Sequence, residues 1–197
     1  MRASTRREFV AGPAGRIECA VDQPTTSPRG IALVVHPHPL FGGTLDNKVV
    51  QTLARAFVEL GYETWRPNLR GVGQTDGVHD EGRGELEDLH AIVKKLVPQR
   101  LALAGFSFGA ALQAQLAERV KPERMALVGI AVTRLTVPSV PADTLVIHGE
   151  NDATVPLSAV LDWARPQELP VVLVPGADHF FHRKLQVLRS IVQSNWR

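Results

Sequence analysis

The chain has 197 residues, 44% of them hydrophobic, and this length fits a single domain, residues 1–197, that buries about 70% of its unfolded surface. The formal charge of +2 comes from basic residues scattered along the chain, which argues against a surface for nucleic acid or a membrane. The single Cys19 excludes an internal disulfide, and no apolar segment is long enough for a signal peptide or a membrane span, so we expect a cytoplasmic protein.

Six apolar segments are predicted to be strands. Most of them are continuously apolar, which is typical of strands covered on both faces of a sheet. The predicted strands span residues 31–36, 62–67, 101–106, 125–132, 144–149 and 170–175.

Four segments show the 3.6-residue periodicity of amphipathic helices. The predicted helices span residues 46–60, 85–97, 110–120 and 180–193. The alternation of strands and helices predicts an α/β fold with three layers, in which a mainly parallel sheet is flanked by helices. Ligands bind beyond the carboxyl ends of the strands in such sheets, so the residues that follow each strand are the candidate site.

The segment "GFSFG", residues 105–109, joins an apolar strand to an alanine-rich helix. Its two glycines allow a sharp turn that holds the serine hydroxyl exposed above the sheet. The start of the helix places backbone N–H groups and positive partial charge beside that hydroxyl. This context predicts that Ser107 is a nucleophile and that the N–H of Phe108 stabilises an oxyanion.

A serine nucleophile requires a base and an acid that orients the base. The loops after the last two predicted strands offer Glu150 and Asp152, and His179 and His182. We favour Asp152 as the acid, because Glu150 lies nearer its strand and is placed to shape the turn. We favour His179 as the base, because the spacing of His182 from Gln186 puts it on the polar face of the last predicted helix.

A second oxyanion donor is expected in the loop "HPHPLFGG" after the first predicted strand. Pro37 and Pro39 have no N–H, so the candidates are His38, Leu40 and Phe41. The glycines that follow would let the backbone approach a substrate closely.

The segments "HPHPLFGGTLDNKVV", "RGVGQTDG", "GFSFGA", "HGENDATVP" and "GADHFFHRK" together resemble the α/β-hydrolase superfamily, from residue 31 to the C-terminus. In particular, they resemble small lidless bacterial hydrolases of carboxylesterase or dienelactone-hydrolase-like character. The resemblance implies an α/β-hydrolase fold with Ser107 as nucleophile, Asp152 as acid, His179 as base and Leu40 as the second N–H donor. The dienelactone hydrolases carry a cysteine nucleophile where this chain has serine, so their substrate is not carried over.

Two histidine pairs have spacings that occur in metal sites. Prolines constrain the pair His36 and His38, and no cysteine joins either that pair or His179 and His182. We therefore expect no metal and no cofactor. The glycines of "RGVGQTDG" lack the Lys-Ser/Thr of a phosphate-binding loop, so we expect that segment to be structural.

Access to the site is expected to be open. The connection "TRLTVPSVPAD" contains Pro138 and Pro141 and is too short for a helical cap. The residues expected to frame the opening and the substrate pocket are Leu40, Phe41, Val155 and Phe180.

The sequence therefore predicts a serine hydrolase that cleaves small carboxylic esters or thioesters through an acyl-enzyme. Its partner would be that small-molecule substrate, and the oligomeric state is not predicted. A peptidase or amidase is less well supported, because no residue identifies a pocket for a peptide chain. The alternative from another class is a catalytically silent protein of the same fold that binds a ligand or partner, although all three catalytic residue types are present.

Overall fold

A computed structural model describes residues 5–196, which form an eight-stranded sheet between two layers of helices. The strands are β1 Thr5–Gly12, β2 Gly15–Asp22, β3 Ile31–Val35, β4 Glu63–Pro67, β5 Leu101–Phe106, β6 Arg124–Val128, β7 Leu145–Gly149 and β8 Val171–Val174. The helices are α1 Lys48–Glu59, α2 Arg83–Leu96, α3 Phe108–Val120, α4 Leu157–Ala164 and α5 Leu185–Asn195. The six predicted strands and four predicted helices are all present; the strand 101–106 has the predicted bounds, and the others differ at one or both ends.

The strand order across the sheet is β1-β2-β4-β3-β5-β6-β7-β8. Strands β3 to β8 are parallel to one another, and β2 is antiparallel to both of its neighbours. The carboxyl ends of the parallel strands therefore meet at one edge of the sheet, where the loops after β3, β5, β7 and β8 lie close together. This topology confirms the predicted three-layer fold with a mainly parallel sheet.

Both faces of the sheet are buried, which explains the continuously apolar strands. On one face, Val34 packs in a cluster with Leu53 of α1 and Leu188 of α5. On the other face, Leu33 packs in a second cluster with Leu89 of α2 and with residues of α3 and α4. Because successive side chains of a strand point to opposite faces, every residue of a central strand such as β3 must be apolar.

The N-terminal hairpin of β1 and β2 is not predicted by the sequence pattern. Strand β1 lies at the edge of the sheet and carries exposed charged side chains such as Arg6 and Glu8. Its hydrophobic alternation is therefore weak. Strand β2 is buried because it pairs with β4, from Cys19↔Pro67 to Asp22↔Thr64.

The C-terminal region differs from the prediction in two respects. Helix α4 is absent from the predicted elements, and α5 begins at Leu185, later than predicted. Phe181 and Arg183 have φ angles of 54° and 60°, which lie in the left-handed region and prevent an α-helix from passing through them. The segment between β8 and α5 therefore consists of turns.

Residues 129–144 connect β6 to β7 without a helix or a strand. This connection agrees with the prediction that no helical cap follows β6. Within residues 5–196, no helix is long and apolar enough to cross a membrane.

Candidate active site

Ser107 lies at the sharp turn between β5 and α3. Its backbone adopts φ 55° and ψ −115°, a conformation that costs energy for a residue with a side chain. The N–H of Ser107 donates to the carbonyl of Val128 at 2.8 Å, which ties the turn to the end of β6. The strain is therefore maintained by the surrounding sheet, as the sequence predicts for a nucleophile turn.

The glycines on either side of Ser107 are required by close backbone contacts. A Cβ atom on Gly105 would lie 2.5 Å from the carbonyl carbon of Gly109, and one on Gly109 would lie 2.4 Å from the carbonyl oxygen of Val35. Both distances are shorter than any tolerated contact. Glycine is therefore required two residues before and two residues after Ser107, because β3, β5 and α3 approach one another closely here.

Phe108 is the first residue of α3, so its N–H has no acceptor within the helix. The helix begins beside the serine and places its positive N-terminal partial charge there. The N–H of Phe108 is therefore available to a negatively charged group beside Ser107.

Asp152 lies in the turn after β7 and contacts His179 directly. The Nδ1 atom of His179 lies 2.6 Å from Oδ2 of Asp152, and the Asp152 side chain is fully buried. The other carboxylate oxygen accepts hydrogen bonds from the N–H groups of Thr154 and Val155, both at 2.8 Å. Burial raises the pKa of Asp152, but the hydrogen bonds from His179 and Val155 outweigh burial and hold this pKa below its ordinary value.

His179 lies in the loop after β8, with its ring over the end of β6. A Cβ atom on Gly129 would lie 3.3 Å from Cε1 of His179, and the ring centroids of His179 and Phe106 are 4.8 Å apart. Gly129 and Phe106 are the chain neighbours of Val128 and Ser107, which hydrogen-bond to each other. The structure therefore brings Ser107, Asp152 and His179 to one place, although the Ser107 hydroxyl makes no hydrogen bond of its own within residues 5–196.

The two alternative residues have other contacts. The Nδ1 atom of His182 bonds to Asp178 at 2.6 Å, and the side chain of His182 is 69% exposed. His182 precedes α5, so its predicted place on the face of that helix is wrong, although its exposure agrees with the prediction. Glu150 accepts a hydrogen bond from the N–H of Gly176 at 2.7 Å and so shapes the turn, as expected.

Among the three candidate donors in the loop after β3, only His38 has an N–H group without an acceptor within residues 5–196. The N–H of Leu40 donates to Nδ1 of His38 at 3.3 Å, and the N–H of Phe41 donates to the carbonyl of His38 at 3.2 Å. The N–H groups of Gly42 and Gly43 donate to Pro39 and His38. For the N–H of His38, no acceptor is found in the part of the chain that the structure describes.

A histidine outside the predicted site lies beside this loop. The ring of His79 is 4.8 Å from that of His38 and 5.7 Å from that of Phe108, measured between centroids. Its Nδ1 atom lies 2.7 Å from Oε1 of the fully buried Glu85. No sequence signal indicated this position, because His79 lies in a loop without periodicity and reaches the site through tertiary folding alone.

The residues predicted to frame the opening fall into two groups. Leu40 and Phe41 are each 69% exposed, and Phe180 is 44% exposed, so these three remain candidates for the rim of an open site. Val155 contradicts the prediction, because it is only 2% exposed and packs in the core. Its N–H donates to Oδ1 of Asp152, while its side chain packs among core residues.

The histidine pairs considered as metal ligands are engaged otherwise. Nδ1 of His36 lies 2.6 Å from the carbonyl of Pro37, and Nε2 accepts from the N–H of Leu69 at 2.9 Å. Within residues 5–196, no group of three or more His, Cys, Asp or Glu side chains is arranged to hold a metal ion.

Comparison with known families identifies the fold. The sequence profile of the α/β hydrolase fold matches residues 33–142, which is more than half of the chain. The chain belongs to the α/β-hydrolase fold family. An uncharacterised protein of Rickettsia prowazekii is 34% identical to this α/β hydrolase over 90% of the chain and 83% of its own length.

Two solved structures are similar over nearly the whole chain. An α/β serine hydrolase homologue from Coxiella burnetii has a TM-score of 0.88 and 35% identity, covering 98% of this chain and 97% of its own. An α/β serine hydrolase without a lid from Xanthomonas campestris has a TM-score of 0.89 and 36% identity, covering 98% of this chain and 93% of its own. These similarities support hydrolase activity in general and agree with the open connection after β6.

Proposed function

We propose that this α/β hydrolase is a serine hydrolase that cleaves small carboxylic esters or thioesters through an acyl-enzyme. The observation that carries the proposal is the buried 2.6 Å contact between His179 and Asp152, placed beside the strained turn of Ser107. A nucleophile, a base and an orienting acid in this chain order are the constellation of the family. The function predicted from the sequence is therefore retained as the proposal.

In the proposed mechanism, His179 acts as the general base. The carboxylate of Asp152 accepts a hydrogen bond from the Nδ1–H of His179, which leaves the unprotonated Nε2 of His179 free to take the proton of the Ser107 hydroxyl. The serine oxygen then attacks the ester carbonyl, and the imidazolium returns the proton to the leaving alcohol or thiol. Water attacks the acyl-enzyme with help from the same base, which releases the acid and restores Ser107.

The negative charge of the tetrahedral intermediate requires two donors. The first is the N–H of Phe108, at the start of α3. For the second donor we propose His38 in place of Leu40, because the N–H of Leu40 already donates to the His38 side chain. Each such donor stabilises the transition state by about 3 kcal/mol. His38 was among the three candidates that the sequence left open.

An active-site-directed fluorophosphonate tests the proposal directly. The wild-type protein should be labelled on Ser107, because the reagent reacts with serines activated by a histidine base. The matched control is Ser139→Ala, which removes an exposed serine from the connection after β6. Labelling should survive in Ser139→Ala and vanish in Ser107→Ala. A folded wild-type protein that resists the reagent and hydrolyses no nitrophenyl acetate would be the catalytically silent alternative.

A further inference from the structure

A buried histidine that the proposed mechanism does not use lies next to Asp152. His148 belongs to β7 and is fully buried. Its Nε2 atom lies 3.0 Å from the carbonyl oxygen of Val155 and 3.7 Å from Oδ2 of Asp152. Because a carbonyl oxygen only accepts hydrogen bonds, Nε2 of His148 must carry a proton.

The other ring nitrogen of His148 has no partner. Nδ1 is closed to solvent and makes no hydrogen bond to any residue between 5 and 196. A buried polar atom without a partner destabilises the folded protein, and a phenylalanine ring of similar size would avoid that loss. Packing alone therefore does not account for an imidazole at this position. What distinguishes the imidazole from a phenylalanine ring here is its Nε2–H, which donates to Val155.

The Nε2–H of His148 completes a closed set of contacts around Asp152. The N–H of Val155 donates to Oδ1 of Asp152, and the carbonyl of the same Val155 accepts from His148. The turn that carries the carboxylate is therefore connected to β7 at its last residue, Val155, through the hydrogen bond from His148. The Nε2 atom also lies near Oδ2, which is the oxygen that His179 contacts.

The charge state of His148 suits this contact. Burial lowers the pKa of His148, and the nearby Asp152 only partly opposes this effect. The neutral ring of His148 carries one N–H, which is directed at Val155. A positively charged His148 would compete with His179 for the negative charge of Asp152.

We propose that His148 is a positioning residue, whose Nε2–H fixes the turn 152–155 and so keeps Oδ2 of Asp152 directed at Nδ1 of His179. His148 touches neither Ser107 nor a substrate in this scheme and acts through Asp152. The catalytic part of this inference rests on the proposed function, whereas the geometry of the Asp152–His179 contact can be tested without turnover.

The test compares His148→Phe, which keeps a ring but removes the N–H, with His148→Gln, whose amide can donate to Val155. For nitrophenyl acetate, His148→Phe should lower kcat by about 10- to 100-fold with little change in KM, because small misplacements of a catalytic group have effects of this size. The rate of fluorophosphonate labelling should fall in parallel. His148→Gln should recover most of both rates, and thermal melting should rank the two variants differently from their activities.

Proton NMR gives a readout that does not depend on catalysis. The proton between His179 and Asp152 should give a low-field, slowly exchanging resonance in the wild type and in His148→Gln, and this resonance should be lost or broadened in His148→Phe. An unchanged resonance and unchanged rates in His148→Phe would overturn the proposal. So would losses that follow the melting temperature in both variants. Absence of labelling and turnover in the wild type, with the NMR result as expected, would refute the proposed function and leave the positioning contact standing.

Discussion

His179 and His182 each place Nδ1 2.6 Å from an aspartate oxygen, and the two pairs differ in exposure to solvent. The side chains of His179 and Asp152 are 6% and 0% exposed, whereas those of His182 and Asp178 are 69% and 45% exposed. Charge interactions at exposed pairs are screened by water and contribute little, so only the buried pair can hold an imidazole in a fixed orientation. At the scale of single residues, burial therefore distinguishes the proposed base from its neighbour.

Replacement of the two histidines should have very different effects. His179→Ala should lower kcat for ester hydrolysis by about 10⁴- to 10⁶-fold, since it removes the group that accepts the serine proton. His182→Ala should change kcat by less than about threefold, because an exposed pair contributes little. Steady-state assays of both purified variants, with circular dichroism to verify folding, make the comparison. Similar losses in the two variants would contradict the assignment of His179 as base.

At the scale of elements, the junction of β3, β5 and α3 depends on the absence of side chains. Gly109→Ala should lower the free energy of unfolding by about 3 kcal/mol, because its Cβ would lie 2.4 Å from the carbonyl oxygen of Val35 and force these elements apart. Gly42→Ala is the control: its φ is 78° and no atom lies within 4 Å of the added Cβ. Its cost should be only about 1 kcal/mol, from the backbone conformation.

Urea unfolding of both glycine variants measures these costs. Equal destabilisation by Gly109→Ala and Gly42→Ala would mean that backbone conformation, and not the close approach of the elements, sets the requirement for glycine.

The connection between β6 and β7 determines access to the site. If the exposed residues Leu40, Phe41 and Phe180 frame the substrate pocket, as proposed, an uncapped site offers little binding energy to the distant parts of a long acyl chain. We expect kcat/KM to be highest for short acyl groups in a series of nitrophenyl esters from acetate to palmitate. Measurements above and below the solubility limit should show no activation at an interface. A steady rise to the longest chain, or a jump on emulsification, would contradict an open site.

At the scale of the whole molecule, His36 links the end of β3 to the loop after β4. Burial lowers the pKa of His36 from 6.5 to about 4, with a small opposing effect of its hydrogen bond to Pro37. Because the unfolded chain takes up this proton more readily than the folded protein, the contribution is complete above pH 6.5 and is lost as the pH falls towards 4. Protonation would also prevent Nε2 from accepting the N–H of Leu69.

The free energy of unfolding should therefore fall by about 1.6 kcal/mol from His36 alone between pH 6.5 and pH 5, with the slope approaching 1.36 kcal/mol per pH unit below pH 6. His148, whose pKa is also lowered, contributes with the same sign. Urea unfolding at several pH values measures the slope. His36→Leu should flatten it. A slope that is equally steep in His36→Leu would rule out His36 as the source.

The sequence by itself determined the layered α/β fold and the three candidate catalytic residues. Strands covered on both faces are mostly apolar, so most of the strands from β3 to β8 could be predicted from continuous apolar segments. Ser107, Asp152 and His179 follow strands whose carboxyl ends share one edge, and the resemblance to the α/β-hydrolase superfamily assigned their order. These features depend on local pattern and on chain order, which a sequence contains directly.

Only the tertiary structure decided the features that depend on contacts between distant residues. The hairpin of β1 and β2 lies at the edge of the sheet, where β2 is buried by its pairing with β4, and the side chain of Val155 is buried by packing in the core. His38 could be chosen as the second N–H donor only from the structure, because the choice depends on the acceptors that the N–H groups of Leu40 and Phe41 already have. Neither a hydrogen-bond partner nor burial is a property of a local segment, because each depends on which elements the fold brings into contact.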